Sequence, residues 1–213
     1  GFDAAQRMTV RVRSITCGTG VTTGSGFAID GSTFVTNRHV ITNAETVEIS
    51  TYDGITVTAT AASSTQFADI AIVTTAEPFG DTYASLATDD PVEGDLVTVV
   101  GYPQGGKLST SAGVVLGRVA DPLADPNTAA VDTVLAISAV VEPGSSGSAV
   151  VNESGEVVGV VYAKATDGSD QTYMVPVSTL TTLIDEPALL NPVSSTCTAD
   201  ADTSTGSTAD GAN

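Results

Sequence analysis

Short runs of β-branched and small apolar residues, each closed off by glycine, proline, asparagine or aspartate, recur along the chain and leave little room for helices. Residues 8–15 alternate apolar and polar side chains, as a half-buried strand does. Phe27-Ala28-Ile29, the turn Asp30-Gly31 and residues 33–36 predict a hairpin. Residues 45–51 and 55–60 predict a second strand pair around Tyr52-Asp53-Gly54, and 67–73 opens in a turn and ends in a buried strand. Residues 76–94 hold two prolines, two glycines and five acidic residues, the composition of a linker. Six more strand candidates follow at 96–100, 108–119, 131–141, 148–152, 157–162 and 172–175. This spacing predicts an all-β chain with a barrel or sandwich in each half. Residues 177–184 predict one short helix with Ser178 as its N-cap.

The stretch Pro143-Gly144-Ser145-Ser146-Gly147-Ser148 brackets a serine pair with glycines before an apolar β-branched run. Gly144 permits a tight, positive-φ path and Gly147 keeps the space beyond Ser146 open. Taken alone, the stretch is also an ordinary turn between strands. As a site, it presents the Ser146 hydroxyl at a strand rim, with the amides of Gly144 and Ser146 converging as an oxyanion hole. The chain has one histidine, His39, placed just after a strand candidate. A lone histidine is more often structural than catalytic. Asp69 follows at the mouth of an apolar strand, where a desolvated carboxylate needs a partner, and an imidazole N–H suits it. A serine hydroxyl is nearly un-ionised at neutral pH and needs a base to take its proton. The order His39, Asp69, Ser146 is that of a hydrolytic triad.

Composition narrows the partners. Acidic residues number 25 and basic residues 7, a formal charge of −18. Such a surface repels nucleic acid and anionic lipid. No apolar run approaches a membrane helix, so this segment is not expected to insert. Gly1 is not an initiator Met, which points to a removed leader, anchor or larger N-terminal region. One histidine and two distant cysteines make no standard zinc site, and neither metal nor cofactor is expected. Cys17 and Cys197 are the only cysteines. They are either two unrelated thiols or a disulfide across 180 residues, contributing up to about 4–5 kcal/mol in the chain-entropy picture. The second reading implies an oxidising compartment, extracellular or periplasmic.

Thr36-Asn37-Arg38-His39-Val40, Asp69-Ile70-Ala71-Ile72-Val73, Gly101-Tyr102-Pro103 and Pro143-Gly144-Ser145-Ser146-Gly147-Ser148 together resemble the compact bacterial trypsin-like serine proteases. The resemblance covers residues 8–186 and extends to three groups: HtrA-type proteases, glutamyl endopeptidases and the membrane-anchored periplasmic proteases of actinobacteria. It implies a chymotrypsin-like double barrel of two six-stranded antiparallel β-barrels with the triad in the cleft between them. On that division, 8–75 is the first barrel with His39 and Asp69, 76–95 the linker and 96–176 the second barrel with Ser146. Residues 177–193 form a C-terminal helix and segment, and 194–213 a disordered acidic tail. The resemblance also implies that Val140 floors the specificity pocket and that Val160, Val161 and Tyr162 line it, favouring an apolar side chain before the scissile bond.

Three positions depart from the resembled groups. Arg38 is long and charged where a small residue or Lys precedes the histidine. Ser145 stands where digestive trypsins carry an Asp that pairs with a freed N-terminus. Val161 stands where glutamyl endopeptidases carry a specificity histidine. The expectation is therefore a secreted or periplasmic serine endopeptidase acting on protein or peptide substrates as a monomer. The alternatives are a protease-fold binding module with impaired catalysis and a structural or adhesive extracellular β-protein.

Overall fold

A computed structural model describes residues 3–18, 20–124 and 133–194. In the first half, α1 (Ala4–Met8) leads into β1 (Thr9–Thr16), β2 (Val21–Ala28) and β3 (Thr33–Thr36). A single helical turn, α2 (Arg38–Ile41), then precedes β4 (Ala44–Ser50), β5 (Thr56–Thr58), β6 (Ala61–Ser64) and β7 (Ala71–Thr74). The second half holds β8 (Leu96–Gly101), β9 (Ser109–Ala120), β10 (Thr133–Ile137), β11 (Ala149–Val151), β12 (Val157–Lys164) and β13 (Thr172–Pro176). After them come α3 (Val177–Asp185) and the two-residue strand β14 (Asn191–Pro192).

The first-half strands form one curled sheet in the order β14-β6-β7-β3-β2-β1-β4-β5. The second half closes as a six-stranded barrel, β10-β13-β12-β11-β8-β9. The expected double-barrel architecture is present, with one barrel closed by a continuous ladder and the other a half-barrel sheet. Alternation along the strands explains three apolar clusters. Val10, Val12, Phe34, Ile41 and Ile49 fill the first sheet's concave side, and Val97, Val99, Leu135, Ile137 and Met174 fill the second barrel. A third cluster joins the halves: Phe27, Val35 and Ile70 from the first pack with Val100, Leu180 and Leu183 from the second. Each fully buried aliphatic side chain contributes about 1.5–3 kcal/mol relative to exposure.

Several elements differ from the sequence reading for local reasons. Residues 4–8 form a helical turn because Asp3 and Gln6 make a reciprocal capping box, so Met8 ends a helix and does not open a strand. The strand expected at 55–60 shortens to β5, and a strand not expected, β6, follows it; the two pair with different neighbours, β4 and β7. The linker is a strap that engages both halves. Phe79 packs edge-on against Phe34 at 5.9 Å between ring centroids, and Ala87 N–H donates to Val157 C=O.

Helix α3 is present, but Ser178 is not its N-cap. Pro176 holds that position without a side-chain bond. The linker carboxylate of Asp90 supplies the missing acceptor, taking the Ser178 N–H at 2.9 Å and its hydroxyl at 2.8 Å, and it also pairs with Arg118. A cap delivered from 88 residues away leaves no local sequence signature.

Among the described residues no helix is long and apolar enough to cross a membrane. Cys197 and the expected tail beyond Ser194 lie outside the described residues.

Candidate active site

Strand pairing brings His39 and Asp69 together. β3 runs antiparallel to β7 with Thr36 opposite Ala71, so the residues just beyond each end, α2 and Asp69, meet on one rim. Asn37, fully buried, donates from Nδ2 to the Asp69 carbonyl oxygen at 2.6 Å. Asp69 Oδ1 accepts the His39 backbone N–H at 3.0 Å, and Oδ2 is hydrogen-bonded to the His39 ring Nδ1. Both carboxylate oxygens are therefore directed at one residue, and the ring keeps Nε2 for another partner. The carboxylate side chain is mostly buried, 16% exposed, whereas the imidazole is 46% exposed at the cleft.

The loop from β10 to β11 carries Ser146. Its carbonyls are held in turn. Glu142 C=O accepts Ser145 N–H at 3.0 Å, and Pro143 C=O accepts Gln104 N–H at 2.6 Å. Gly144 C=O accepts the Ser25 hydroxyl at 2.8 Å. Ser145 C=O accepts Ser148 N–H at 3.0 Å, and Ser146 C=O accepts Ser25 N–H at 2.7 Å. Gly147 N–H donates to Val161 C=O at 2.8 Å. From Gly144 to Ser148 two amides, of Gly144 and Ser146, donate to nothing among the described residues. In a trans peptide N–H and C=O point oppositely, so holding Pro143 C=O on Gln104 turns the Gly144 N–H away from it. Gly144 and Gly147 sit at φ +93° and +87°, as a path this tight requires.

Gly24 brings the two parts close. A Cβ there would lie 2.7 Å from the Val40 methyls and 3.1 Å from Ser146 O, so the residue after His39 and the Ser146 backbone abut the same glycine. Among the described residues no hydrogen bond joins His39 to Ser146. In ligand-free sites of this kind such bonds are commonly long.

The expected pocket residues are not brought together. Val140 is 54% exposed and lines a depression of about 310 Å³ with Val99, Pro103, Ser109, Glu142 and Ser145. Val161 is buried inside the second barrel and Val160 in the cluster between the halves, so packing occupies both side chains. Tyr162 stands at a bulge in β12, where the register to β13 shifts between Val161 and Ala163. Its ring enters a groove of about 400 Å³ shared with Arg38, His39, Phe67, Asp69 and Asp121. Its hydroxyl donates to Asp121 Oδ1 at 2.5 Å. Burial, and then this bond to Asp121, push the Tyr162 phenol far above its ordinary value, so it remains a donor at any working pH. Lys164, the nearest charge in sequence, is turned to Asp170 at 3.4 Å. Sequence reasoning missed Ser25, Asn37 and Gln104. Their partners lie 32 to 119 residues away, and only the Gly24-Ser25-Gly26 spacing hinted at a close approach.

Among the described residues, no group of three or more His, Cys, Asp or Glu is placed to hold a metal. Cys17 follows β1 with its Sγ 3.8 Å from the Asn43 carbonyl oxygen.

The trypsin-like peptidase domain family matches residues 24–160, more than half of the chain. The chain belongs to this family. It is 30% identical over 167 residues to a probable periplasmic serine endoprotease DegP-like of Rhizobium meliloti, covering 76% of this chain and 32% of that protein. It is 28% identical over 161 residues to the serine protease Do-like HtrA of Lactobacillus helveticus, covering 71% and 38%. The chain thus spans about a third of the length of the curated relatives it matches. Among solved structures it is similar to the Rv3671c protease from M. tuberculosis in its active form, with a TM-score of 0.80, 26% identity, and coverage of 92% and 88%.

The loop geometry predicts a contrast between two glycines. A Cβ on Gly147 would fall 2.0 Å from Ser25 O, whereas one on Gly155, also at positive φ, would meet nothing within 4 Å. Gly155→Ala is expected to cost about 1 kcal/mol from the left-handed conformation alone. Gly147→Ala is expected to cost about 3 kcal/mol or more, because β2 must also shift. Urea denaturation of the two variants measures the difference, and equal costs would mean that the loop does not press on β2.

Proposed function

We propose that this chain is a serine endopeptidase that hydrolyses protein or peptide substrates through an acyl-enzyme. The observation that carries the reading is the pairing of a His39–Asp69 couple with a loop whose carbonyls from Glu142 to Ser146 are each held while the Gly144 and Ser146 amides are left without acceptors among the described residues. His39 Nε2 takes the proton of Ser146 as Oγ attacks the substrate carbonyl carbon. Asp69 holds the Nδ1–H tautomer and offsets the imidazolium charge. The carbonyl oxygen, now an oxyanion, receives the Gly144 and Ser146 N–H groups. His39 then returns the proton to the leaving amine, the C–N bond breaks and the acyl group stays on Ser146. Water, deprotonated by the same imidazole, releases it. Membership of the trypsin-like peptidase family and the serine protease relatives support this assignment.

Ser146→Ala is expected to lower turnover of a fluorogenic peptide by about 10⁴–10⁶, because such residues act as a unit. Labelling of the parent chain by a fluorophosphonate probe, absent from Ser146→Ala, separates a peptidase from a binding module of the same fold. Near-parental turnover by the variant removes Ser146 from the chemistry.

The reading includes an apolar preference before the scissile bond. Its support is now different: Lys164 is held by Asp170, and Glu142 by the Gln104 amide at 2.7 Å, so the charges flanking the loop already have partners. A charged substrate side chain would go uncompensated there. Cleavage of a peptide library, read by mass spectrometry, is expected to favour Leu, Met, Val or Phe at that position. Dominant cleavage after Arg, Lys, Asp or Glu would refute the preference.

We infer also that Cys17 and Cys197 are bonded and that the chain works in an extracellular or periplasmic compartment. β14 pairs with β6, and Val193 N–H donates to Ala62 C=O at 2.9 Å, which returns the C-terminal segment to the first half. Val193 shares a groove with Ile41 and Ala44, next to the Asn43 carbonyl that Cys17 touches. Four further residues of chain reach up to about 13–14 Å. Mass spectrometry of the unreduced protein is expected to give a Cys17–Cys197 peptide pair, and two alkylatable thiols would exclude it.

A further inference from the structure

We propose that Ser25 is a positioning residue for the oxyanion loop, its buried hydroxyl setting the direction in which the Gly144 and Ser146 amides point. The proposal rests on the serine-peptidase reading. Ser25 lies in β2, in the opposite half from Ser146, and has no exposed surface. It makes four hydrogen bonds. Its N–H donates to Ser146 C=O at 2.7 Å, and its hydroxyl donates to Gly144 C=O at 2.8 Å. The same oxygen accepts Tyr102 N–H at 2.8 Å, and its carbonyl accepts the Thr36 hydroxyl at 2.7 Å.

The main-chain bond to Ser146 survives replacement of the side chain by Ala or Cys, whereas among the described residues the hydroxyl is the only group that donates to Gly144 C=O. That carbonyl belongs to the Gly144–Ser145 peptide, which lies between the two oxyanion amides in the chain. The two amides belong to the peptides on either side of it, Pro143–Gly144 and Ser145–Ser146, so net rotation about the Gly144 ψ and Ser145 φ bonds turns one relative to the other and takes them off a common point. Glycine at φ +93° offers no side-chain resistance to the rotation; within the loop Glu142 C=O holds the N–H end of this peptide, and Ser25 holds its C=O end from the other half. Ser25 is suited to this because it cannot retreat. A Cβ on Gly24 would meet the Val40 methyls at 2.7 Å, and one on Gly26 would meet Val35 O at 2.6 Å, so the β2 backbone is wedged on both sides of the serine. The hydroxyl also spans Tyr102 N–H and Gly144 C=O, tying the end of β8 to the same loop.

The test compares Ser25→Ala, Ser25→Cys and Thr9→Val with the parent chain. Thr9 is a distant, fully buried residue whose hydroxyl bonds Ala5 C=O at 2.7 Å. Ser25→Ala is expected to lower kcat about 10–100-fold, part of the loss seen when an oxyanion donor is removed. KM should stay within about twofold, because the loss falls on the transition state. Affinity for a peptide boronic acid, whose tetrahedral adduct places an oxygen between the two amides, should weaken by the same factor. Ser25→Cys, keeping shape with a poorer donor, should fall between. Thr9→Val should lose stability without losing kcat.

Amide NMR supplies a readout independent of turnover. In Ser25→Ala, Tyr102 N–H exchange should accelerate about tenfold and the Gly144 and Ser146 amide resonances should move. A Ser25→Ala chain with parental kcat, boronate affinity and Tyr102 exchange would make Ser25 merely structural and overturn the proposal. If Ser25→Ala does not fold, Ser25→Cys decides by the same measurements, parental values again overturning it. A parent chain without turnover would refute the peptidase reading, and the amide measurements would still decide what Ser25 holds.

Discussion

Residues 142–146, between β10 and β11, lie in no strand, and a buried carbonyl left without a donor costs about 1–3 kcal/mol. Much else in the structure answers that constraint. The donors come from β2 in the first half, through Ser25, and from the turn after β8, through Gln104, as well as from the loop itself. Forming the loop and docking the two halves are therefore one event. The cluster of Phe27, Val35 and Ile70 against Val100, Leu180 and Leu183 supplies the docking drive, and the hydrogen bonds to Ser25 supply its register.

The His39–Asp69 couple follows a different logic, since it is complete within the first half. Antiparallel pairing of β3 with β7 sets the separation, Asn37 fixes the Asp69 backbone, and the carboxylate binds both the amide and the ring of one residue. The couple is held by one sheet and the Ser146 loop by contacts between two. Substitutions that loosen the interface should disturb the loop before they disturb the couple.

The net charge of −18 coexists with this site because the few cations are distributed. Arg13 pairs with Glu48, Arg118 with Asp90 and Lys164 with Asp170, each cation substantially exposed. Exposed pairs of this kind add little stability. Asp90 is the exception in role, since it also replaces the missing cap of α3 and ties the linker to the second half.

The sequence by itself determined the strand-rich class and most strand positions, and it singled out His39, Asp69 and Ser146, the residues of the proposed triad. These depend on signals confined to a few neighbouring residues: alternation, turn glycines and the Gly-Ser-Ser-Gly bracket. Tertiary structure alone decided three things. It buried Val160 and Val161 and turned Val140 away from them, because a bulge at Tyr162 and the closing of the barrel set which face each strand residue takes. It moved the helix cap from Ser178 to Asp90, because an acceptor 88 residues away reached the orphan amide. It brought the Ser25 hydroxyl to the Gly144 carbonyl, because a hydroxyl finds a carbonyl 119 residues distant only after two sheets have packed, and such a contact depends on packing geometry that no local pattern encodes.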